Sequence, residues 1–312
     1  MSAIRRVRSA DGVRVAVYEH GDPASPTVVL IHGYPDNAGV WSGVVAELGR
    51  RYHVVSYDVR GAGKSDKPSE RAAYRIDHLV DDFTAVIDAT SPDHAVHVLA
   101  HDWGSVQGWA CVLNEFLQSR IASFTSISGP DLQQTGRWVR SNLRPSSRAL
   151  GKVVRQLGDS YYVALFQVPM LPELAWRSGA VDLLLRLAER RGTHSGTENG
   201  TDRTPGSRID DGYRRSWADK LNGLQLYRAN LLQAASPTLR TTDIPVQVLA
   251  PTADPFVSTA LQLEAPQPYV ANLTLRSVAG DHWIIRTRPE VVAAAVTELV
   301  DRVAASALKP AD

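Results

Sequence analysis

The sequence has little cysteine and little net charge. Its 312 residues include a single cysteine, Cys111, which excludes any disulfide within the chain and fits a reducing compartment. The 34 Lys and Arg residues nearly balance the 33 Asp and Glu residues, so the formal net charge is +1. Because nucleic acids and anionic membranes are bound by clustered Lys and Arg, we expect neither as a partner.

Long apolar runs are missing as well. No stretch approaches the roughly 20 apolar residues of a membrane-spanning helix, and residues 1–6 contain no apolar secretion signal. The glycines within residues 58–65 are not spaced as a dinucleotide-binding fingerprint. These absences predict a cytoplasmic protein without a membrane span, a cofactor or a bound metal.

The first third of the chain alternates short β-branched runs with helical patterns, which is typical of a mostly parallel sheet flanked by helices. An exposed strand is predicted at residues 13–18, and other strands are predicted at residues 27–31, 53–57, 94–100, 121–127, 244–249 and 273–278. Arg5, Arg6 and Arg8 are expected to form the solvated face of a further strand near the start of the chain. Residues 131–239 are helical in pattern, except for a polar run at 191–206 that is typical of a loop. The sequence therefore predicts an α/β core, residues 1–130 and 241–312, with a helical cap at 131–240 inserted after the sixth strand.

The most informative segment is the turn that follows the strand at residues 94–100. There Ala100-His101-Asp102-Trp103-Gly104 places Asp102 between two small residues, directly before a helical pattern. Small residues on both sides allow a strained strand-to-helix turn, the nucleophile elbow, which exposes one side chain above the sheet. A lone Asp at this place could simply cap the helix, but the motifs that accompany it favour Asp102 as a nucleophile.

An aspartate at the elbow changes the chemistry from that of the more common serine. A carboxylate with a reference pKa of about 3.9 is ionised at neutral pH and needs no base for its activation. It suits attack on a saturated electrophilic carbon, which gives an alkyl ester of Asp102. Water must then cleave this ester at the carboxyl carbon of Asp102, and that second step requires a base.

Nine histidines compete for the role of base, and chain order selects among them. Proteins with this elbow follow the order nucleophile, acid, histidine, and His282 is the last histidine, in a loop after the final predicted strand. Asp254, after the strand at 244–249, is predicted as the acid that orients His282. Asp131, after the preceding strand, is the alternative acid, and Asp281 is expected to be solvated.

A second motif, His32-Gly-Tyr34-Pro35, follows the strand at residues 27–31. The backbone N–H groups of Tyr34 and Trp103 are predicted to form an oxyanion hole for ester hydrolysis. His32 and His101 are expected to hold their loops together. The side chains predicted to line the substrate pocket are those of Tyr34, Trp103, Trp176 and Trp283.

Together these motifs resemble those of the epoxide hydrolases of the α/β-hydrolase superfamily, and the resemblance covers essentially the whole chain. Residues 32–35, 101–104, 254 and 281–283 match the oxyanion loop, nucleophile, acid and base of that family. The resemblance implies hydrolysis of a lipophilic epoxide to a vicinal diol, with water, through a covalent aspartyl ester. The chain also resembles the hydrolase half of bacterial fusions with a short-chain dehydrogenase.

In epoxide hydrolases two cap tyrosines hydrogen-bond the epoxide oxygen and stabilise the alkoxide as the ring opens. The first lies four residues before the Phe of a Phe-Gln-x-Pro segment, and Tyr162 has this spacing to Phe166. The second belongs to a Tyr-Arg-x-Asn segment, which Tyr227 matches. The resemblance therefore implies that Tyr162 and Tyr227 are the donors, with Tyr161 and Tyr213 as alternatives that could equally be packing residues.

Two other functions stay open at this point. Haloalkane dehalogenases use the same aspartate nucleophile but need two N–H donors for the departing halide, for which Trp103 and Trp176 are candidates. A non-catalytic, ligand-binding member of the fold is the other alternative, and the presence of every motif of the enzyme argues against it. The two tyrosine segments favour the epoxide hydrolase.

Overall fold

The computed structural model describes residues 4–143, 147–185, 187, 213–231 and 240–307. Within these residues eight strands form one sheet: Ile4–Arg8 (β1), Arg14–His20 (β2), Thr27–Ile31 (β3), His53–Asp58 (β4), Val96–His101 (β5), Ile121–Ile127 (β6), Val246–Pro251 (β7) and Leu273–Val278 (β8). Their spatial order is β1-β2-β4-β3-β5-β6-β7-β8. β2 pairs antiparallel with β1 and β4, while the other neighbouring strands are parallel. The predicted α/β architecture with a mostly parallel sheet is confirmed.

The central strands are apolar because both faces of the sheet are covered. All residues of β3, Thr-Val-Val-Leu-Ile, are buried, and so are all residues of β5 and β7. The expectation of an exposed second strand is wrong: Val15, Ala16 and Val17 are fully buried, since β2 lies between β1 and β4. Complete burial of one valine stabilises a fold by roughly 1.5–3 kcal/mol.

The helices of the described residues fall into two groups. One group belongs to the sheet domain: Ser42–Leu48, Ile76–Thr90, Trp103–Val112, Thr259–Glu264, Ile284–Thr287 and Pro289–Ala307. The other group lies between β6 and β7 in the chain: Leu132–Asn142, Ser147–Asp159, Tyr161–Gln167, Leu171–Arg177, Trp217–Asn222 and Leu224–Asn230. In the part of the chain that the structure describes, no helix combines the length and apolarity that crossing a bilayer requires.

The second group of helices agrees with the helical pattern of residues 131–239. The domain boundaries at residues 130 and 240 stay a prediction. The predicted loop at 191–206 lies outside the described residues.

Parallel pairing brings the predicted site residues to one edge of the sheet. Strands β3, β5, β7 and β8 run in the same direction, so their carboxyl ends meet there. The residues that follow these ends are Tyr34, Asp102, Asp254 and His282, in that order. Ligands of α/β proteins bind in the crevice outside the carboxyl ends of such strands.

Candidate active site

Asp102 occupies a strained turn between β5 and the helix Trp103–Val112. Its φ and ψ angles are 54° and −125°, a conformation that residues with a side chain rarely adopt. The turn is held closely, since the Asp102 N–H donates to the carbonyl of Ile127 (3.0 Å) and a Cβ at Gly104 would overlap with the carbonyl oxygen of Ile31. Backbone strain of roughly 1–3 kcal/mol persists only where the surroundings enforce it, and it is concentrated at functional sites.

Both predicted oxyanion donors bind the carboxylate of Asp102 itself. The backbone N–H of Tyr34 donates to Asp102 Oδ1 at 2.7 Å, and the backbone N–H of Trp103 also donates to this carboxylate. Glycine is required at residue 33, because a Cβ on Gly33 would overlap with the Asp102 side chain. These two N–H groups can therefore stabilise negative charge that develops on an Asp102 oxygen, without rearrangement of the turn.

His282 lies between two carboxylates. Its Nδ1 is 3.1 Å from Asp254 Oδ2, and its Nε2 is 3.8 Å from Asp102 Oδ2. Asp254 also accepts hydrogen bonds from the backbone N–H groups of Phe256 (2.9 Å) and Val257 (3.1 Å), which fix the orientation of its carboxylate. The Nε2 atom thus faces the carboxyl group at which an ester of Asp102 would be hydrolysed.

The alternative acid, Asp131, has a different role in the structure. It caps the helix Leu132–Asn142, and its carboxylate accepts hydrogen bonds from the backbone N–H groups of Gln133 (2.9 Å) and Gln134 (2.8 Å). The carboxylate that His282 Nδ1 contacts is that of Asp254. The geometry therefore favours Asp254 as the acid.

Hydrogen bonds from His101 and Thr287 hold the loop that contains Asp281 and His282. His101 Nε2 donates to the carbonyl oxygen of His282 at 2.7 Å, and the two rings lie 4.7 Å apart. The expectation of a solvated Asp281 is wrong, because this residue is buried and accepts a hydrogen bond from the Thr287 hydroxyl (3.3 Å). The turn that follows His282 brings Thr287 back to Asp281, a contact that adjacency in sequence does not reveal.

Burial and charge together set the protonation of the central groups. Burial raises the pKa of Asp102 to about 6, although His282 and the N–H groups of Trp103 and Tyr34 lower it. Burial lowers the pKa of His282, but the carboxylates of Asp254 and Asp102 outweigh it and raise the value to about 9. At pH 7 an ionised Asp102 therefore lies beside a protonated imidazole, and Asp102 ionises less readily than a free aspartate does.

The two predicted tyrosine donors come together from separate helices. The rings of Tyr162 and Tyr227 lie 6.0 Å apart, and the Tyr227 ring lies 4.8 Å from that of Trp103. Burial raises the pKa of both phenols above the ordinary value, and the negative charge of Asp102 adds to the effect. Both phenols are thus protonated at neutral pH and close enough to Asp102 to respond to its charge.

The alternative tyrosines lie elsewhere. Tyr161 is 64% exposed, and the Tyr213 hydroxyl donates to Asp36 Oδ1 at 2.7 Å. Neither environment is that of a donor directed at a substrate beside Asp102. Within the described residues, no set of His, Cys, Asp and Glu side chains is arranged to hold a metal ion.

Two of the predicted pocket tryptophans make specific hydrogen bonds. Trp176 Nε1 donates to the hydroxyl of Tyr34 at 2.7 Å, so the indole N–H that a departing halide would need is already engaged. Trp283 Nε1 donates to Asp36 Oδ2 at 3.1 Å, and its ring lies 4.8 Å from that of His282. The lining of the substrate pocket by Tyr34, Trp103, Trp176 and Trp283 stays a prediction.

The chain is similar in sequence to an epoxide hydrolase of about its own length and to a protein of about twice its length. The sequence profile of the α/β hydrolase fold family matches residues 26–289. The chain is 36% identical over 304 residues to the probable oxidoreductase EphD of Mycobacterium tuberculosis, with 95% of this chain and 49% of that protein covered. It is 27% identical over 325 residues to epoxide hydrolase A of the same species, with 95% and 96% covered. The chain thus spans about half the length of EphD.

Solved structures with the same fold include several epoxide hydrolases. The crystal structure of Bacillus megaterium epoxide hydrolase in complex with an inhibitor has a TM-score of 0.76 at 23% identity, with 95% of this chain and 100% of that chain covered. An epoxide hydrolase from Vigna radiata has a TM-score of 0.71 at 23% identity, with 96% and 98% covered. At these identities the similarity establishes a shared fold.

Proposed function

The chain belongs to the α/β-hydrolase fold family, and from this premise we propose that it is an epoxide hydrolase that opens a lipophilic epoxide to a vicinal diol. One observation carries the proposal: the phenol rings of Tyr162 and Tyr227 come together, 6.0 Å apart, and the Tyr227 ring lies 4.8 Å from that of Trp103, the residue that follows the elbow carboxylate. The pairing of His282 with Asp254 beside that carboxylate supplies the base for a second step. The similarity to epoxide hydrolase A supports the same reaction.

In the first step, ionised Asp102 attacks a carbon of the epoxide. A bond forms between an Asp102 oxygen and that carbon, while the ring carbon–oxygen bond breaks and leaves its electron pair on the epoxide oxygen. Tyr162 and Tyr227 hydrogen-bond this oxygen, and one of them supplies its proton. The product of the step is a hydroxyalkyl ester of Asp102.

In the second step, water attacks the carboxyl carbon of the ester. Alkylation has removed the negative charge of Asp102, which is one of the charges that raise the pKa of His282. The imidazolium therefore loses its proton more easily in the ester, and this proton restores the phenol that protonated the epoxide oxygen. The neutral imidazole then accepts a proton from the attacking water. The N–H groups of Tyr34 and Trp103 bind the resulting oxyanion. Its collapse breaks the bond between the carboxyl carbon and the ester oxygen, and the carboxyl proton passes to the departing oxygen, which releases the diol and regenerates ionised Asp102 beside protonated His282.

A single turnover in oxygen-18 water tests the ester directly. We expect the first diol to contain an unlabelled oxygen from Asp102 and the Asp102 peptide to gain the label, because water attacks the carboxyl carbon. Mass spectrometry of the diol and of the peptide measures both. Asp131→Asn is a matched control, since asparagine also caps a helix well, and it should label as the wild type does. Label in the first diol with none in the peptide would reject the ester.

The pH dependence of alkylation should report the ionisation of Asp102. Since burial raises the pKa of Asp102 to about 6, the alkylation rate should be constant well above pH 6 and fall by about tenfold per pH unit well below it. In His282→Gln this fall of the rate at low pH, the acid limb of the profile, should move to higher pH, because the imidazolium charge that lowers the pKa of Asp102 is lost. Rapid-quench measurement of adduct formation gives the profile. A limb at the ordinary value of 3.8 would contradict the raised pKa.

A further inference from the structure

Asp36 is a buried carboxylate to which the proposed reaction assigns no role. Its side chain is inaccessible to solvent, yet it accepts three hydrogen bonds. The Tyr213 hydroxyl and Arg215 Nε donate to Oδ1 at 2.7 and 2.8 Å, and Trp283 Nε1 donates to Oδ2 at 3.1 Å. We name these four residues the Asp36 cluster.

Asp36 itself belongs to the turn that carries an oxyanion donor. The Asp36 N–H donates to the carbonyl of Gly33 at 3.0 Å, which closes the turn around Tyr34. The backbone N–H of Tyr34 in turn holds Asp102 Oδ1. A change in the orientation of this turn would move the donor on the nucleophile.

The other members of the Asp36 cluster come from two distant segments. Trp283 directly follows His282, and the two rings lie 4.8 Å apart. Tyr213 and Arg215 precede the helix Trp217–Asn222 in the region predicted as the cap. The Asp36 carboxylate therefore joins the oxyanion turn, the loop of the base and a segment of the predicted cap.

Arg215 compensates the charge of Asp36. Burial raises the pKa of Asp36, but the Arg215 guanidinium and the Tyr213 hydroxyl outweigh it and keep the carboxyl ionised. The guanidinium also lies over the Trp283 ring, 5.1 Å from its centroid. A buried ion pair is often no more stable than apolar packing of the same volume, so packing alone does not account for a carboxylate at residue 36.

We propose that Asp36 is a positioning residue, which holds the predicted cap and the loop of His282 against the turn of Tyr34 so that the base stays aligned with the ester of Asp102. The proposal rests on the proposed function of Asp102 and His282. Asp36 touches no reacting atom and acts through Tyr34 and Trp283. Its charge also contributes to the electrostatic surroundings of the base.

Several charged and titratable groups surround His282: Asp254 at Nδ1, Asp102 near Nε2, His101 at the carbonyl oxygen, and Asp36 with Arg215 across the Trp283 side chain. Burial lowers the pKa of His101 to about 3, so this ring is neutral. The negative charge of Asp36 helps to raise the pKa of His282. In the ester, loss of the Asp36 charge should therefore lower the pKa of His282, and loss of the Arg215 charge should raise it.

The kinetic test uses Asp36→Asn, whose amide keeps the size of the side chain but provides one acceptor oxygen in place of two. Hydrolysis of the ester should slow roughly 10- to 100-fold, the effect of a small misplacement of a reacting group. Alkylation, which needs no base, should change much less. Both steps are measured in one experiment by following the adduct with styrene oxide through its formation and decay.

The pH profile of ester hydrolysis distinguishes an effect of the Asp36 and Arg215 charges on His282 from a general loss of packing in the variants. The rate should rise with pH as His282 loses its proton. The acid limb should move to lower pH in Asp36→Asn and to higher pH in Arg215→Gln. A loss of packing alone predicts no such opposite pair of shifts.

Hydrogen–deuterium exchange of the substrate-free protein tests the proposal without turnover. In Asp36→Asn, exchange should rise together in peptides that cover residues 33–38, 213–222 and 279–287. Asp82→Asn is a matched control, since Asp82 is also a buried carboxylate paired with an arginine, Arg60. It should leave the three peptides as they are in the wild type.

Each outcome decides the proposal. Wild-type ester hydrolysis in Asp36→Asn, or exchange that stays unchanged at residues 279–287, would overturn it. Acid limbs that move in the same direction in the two charge variants would overturn it as well. If the wild type forms no ester, the proposed function fails, and the exchange of Asp36→Asn still decides whether the Asp36 cluster joins the three segments.

Discussion

In His282→Gln, the alkyl ester of Asp102 should accumulate and steady-state turnover of an epoxide should fall by roughly 10²- to 10⁴-fold. Alkylation by an ionised carboxylate needs no base, whereas hydrolysis of the ester requires a proton acceptor for the attacking water. Glutamine keeps much of the volume of the imidazole but accepts no proton at neutral pH. After mixing with styrene oxide, the intact mass should rise by one substrate molecule and remain there.

A matched control is available in the loop before β5, where His94 is exposed. His94→Gln should turn over as the wild type does and retain no adduct. Both variants should be compared at a pH well above the acid limb of Asp102, since that limb moves upward in His282→Gln. If His282→Gln loses alkylation and hydrolysis equally while its unfolding midpoint is unchanged, His282 is not the base of the second step.

Replacement of Tyr162 or Tyr227 by phenylalanine should slow alkylation by an epoxide roughly 10- to 1,000-fold, taking one oxyanion-type donor as ~2–4 kcal/mol. The leaving oxygen stays attached to the substrate as an alkoxide, which departs poorly unless a donor protonates it. The double variant should be slower than either single one, without strict additivity, because the two phenols interact. Hydrolysis of the ester should be nearly unchanged, since it depends on His282 and Asp254.

Tyr161→Phe is the matched control for the loss of a phenol. Tyr161 precedes Tyr162 in the same helix but is 64% exposed, so its replacement should leave both steps at the wild-type rate. Pre-steady-state formation of the adduct gives the alkylation rates of all the variants. A large effect of Tyr161→Phe on alkylation would show that replacement of Tyr162 acts through the stability of the helix Tyr161–Gln167.

A bromoalkane separates the epoxide hydrolase from the haloalkane dehalogenase. Halide departs without a proton and would be bound by N–H donors such as those of Trp103 and Trp176. Because Trp176 Nε1 donates to the Tyr34 hydroxyl, we expect little alkylation by the bromoalkane in any variant. If the bromoalkane alkylates the wild type, Tyr162→Phe and Tyr227→Phe at the same rate but does not alkylate Trp176→Phe, the dehalogenase is the correct assignment.

The sequence by itself determined the mostly parallel architecture of the sheet and indicated which side chains meet at its carboxyl edge. The strands at residues 27–31, 121–127 and 273–278 were predictable to the residue, because each is a short run rich in apolar and β-branched residues. The strained turn at Asp102 was predictable because it is a local feature, whose small neighbours are adjacent to Asp102 in the chain. His282 was selected by the order nucleophile, acid, histidine, and it lies beside Asp102 because parallel strands bring their carboxyl ends to the same edge of the sheet.

The tertiary structure decided the matters that depend on contacts between distant segments. Asp254 and Asp131 both follow strands, and only their side-chain contacts distinguish the partner of His282 from a helix cap. The raised pKa of Asp102 arises from burial, which no local pattern expresses. Asp36 received no role from the sequence, because its partners Tyr213 and Trp283 lie 177 and 247 residues away. A buried carboxylate needs hydrogen-bond donors, but these donors can come from any segment that the fold brings beside it. Residue patterns and spacings describe neighbours along the chain, so they do not reveal which distant donors contact Asp36.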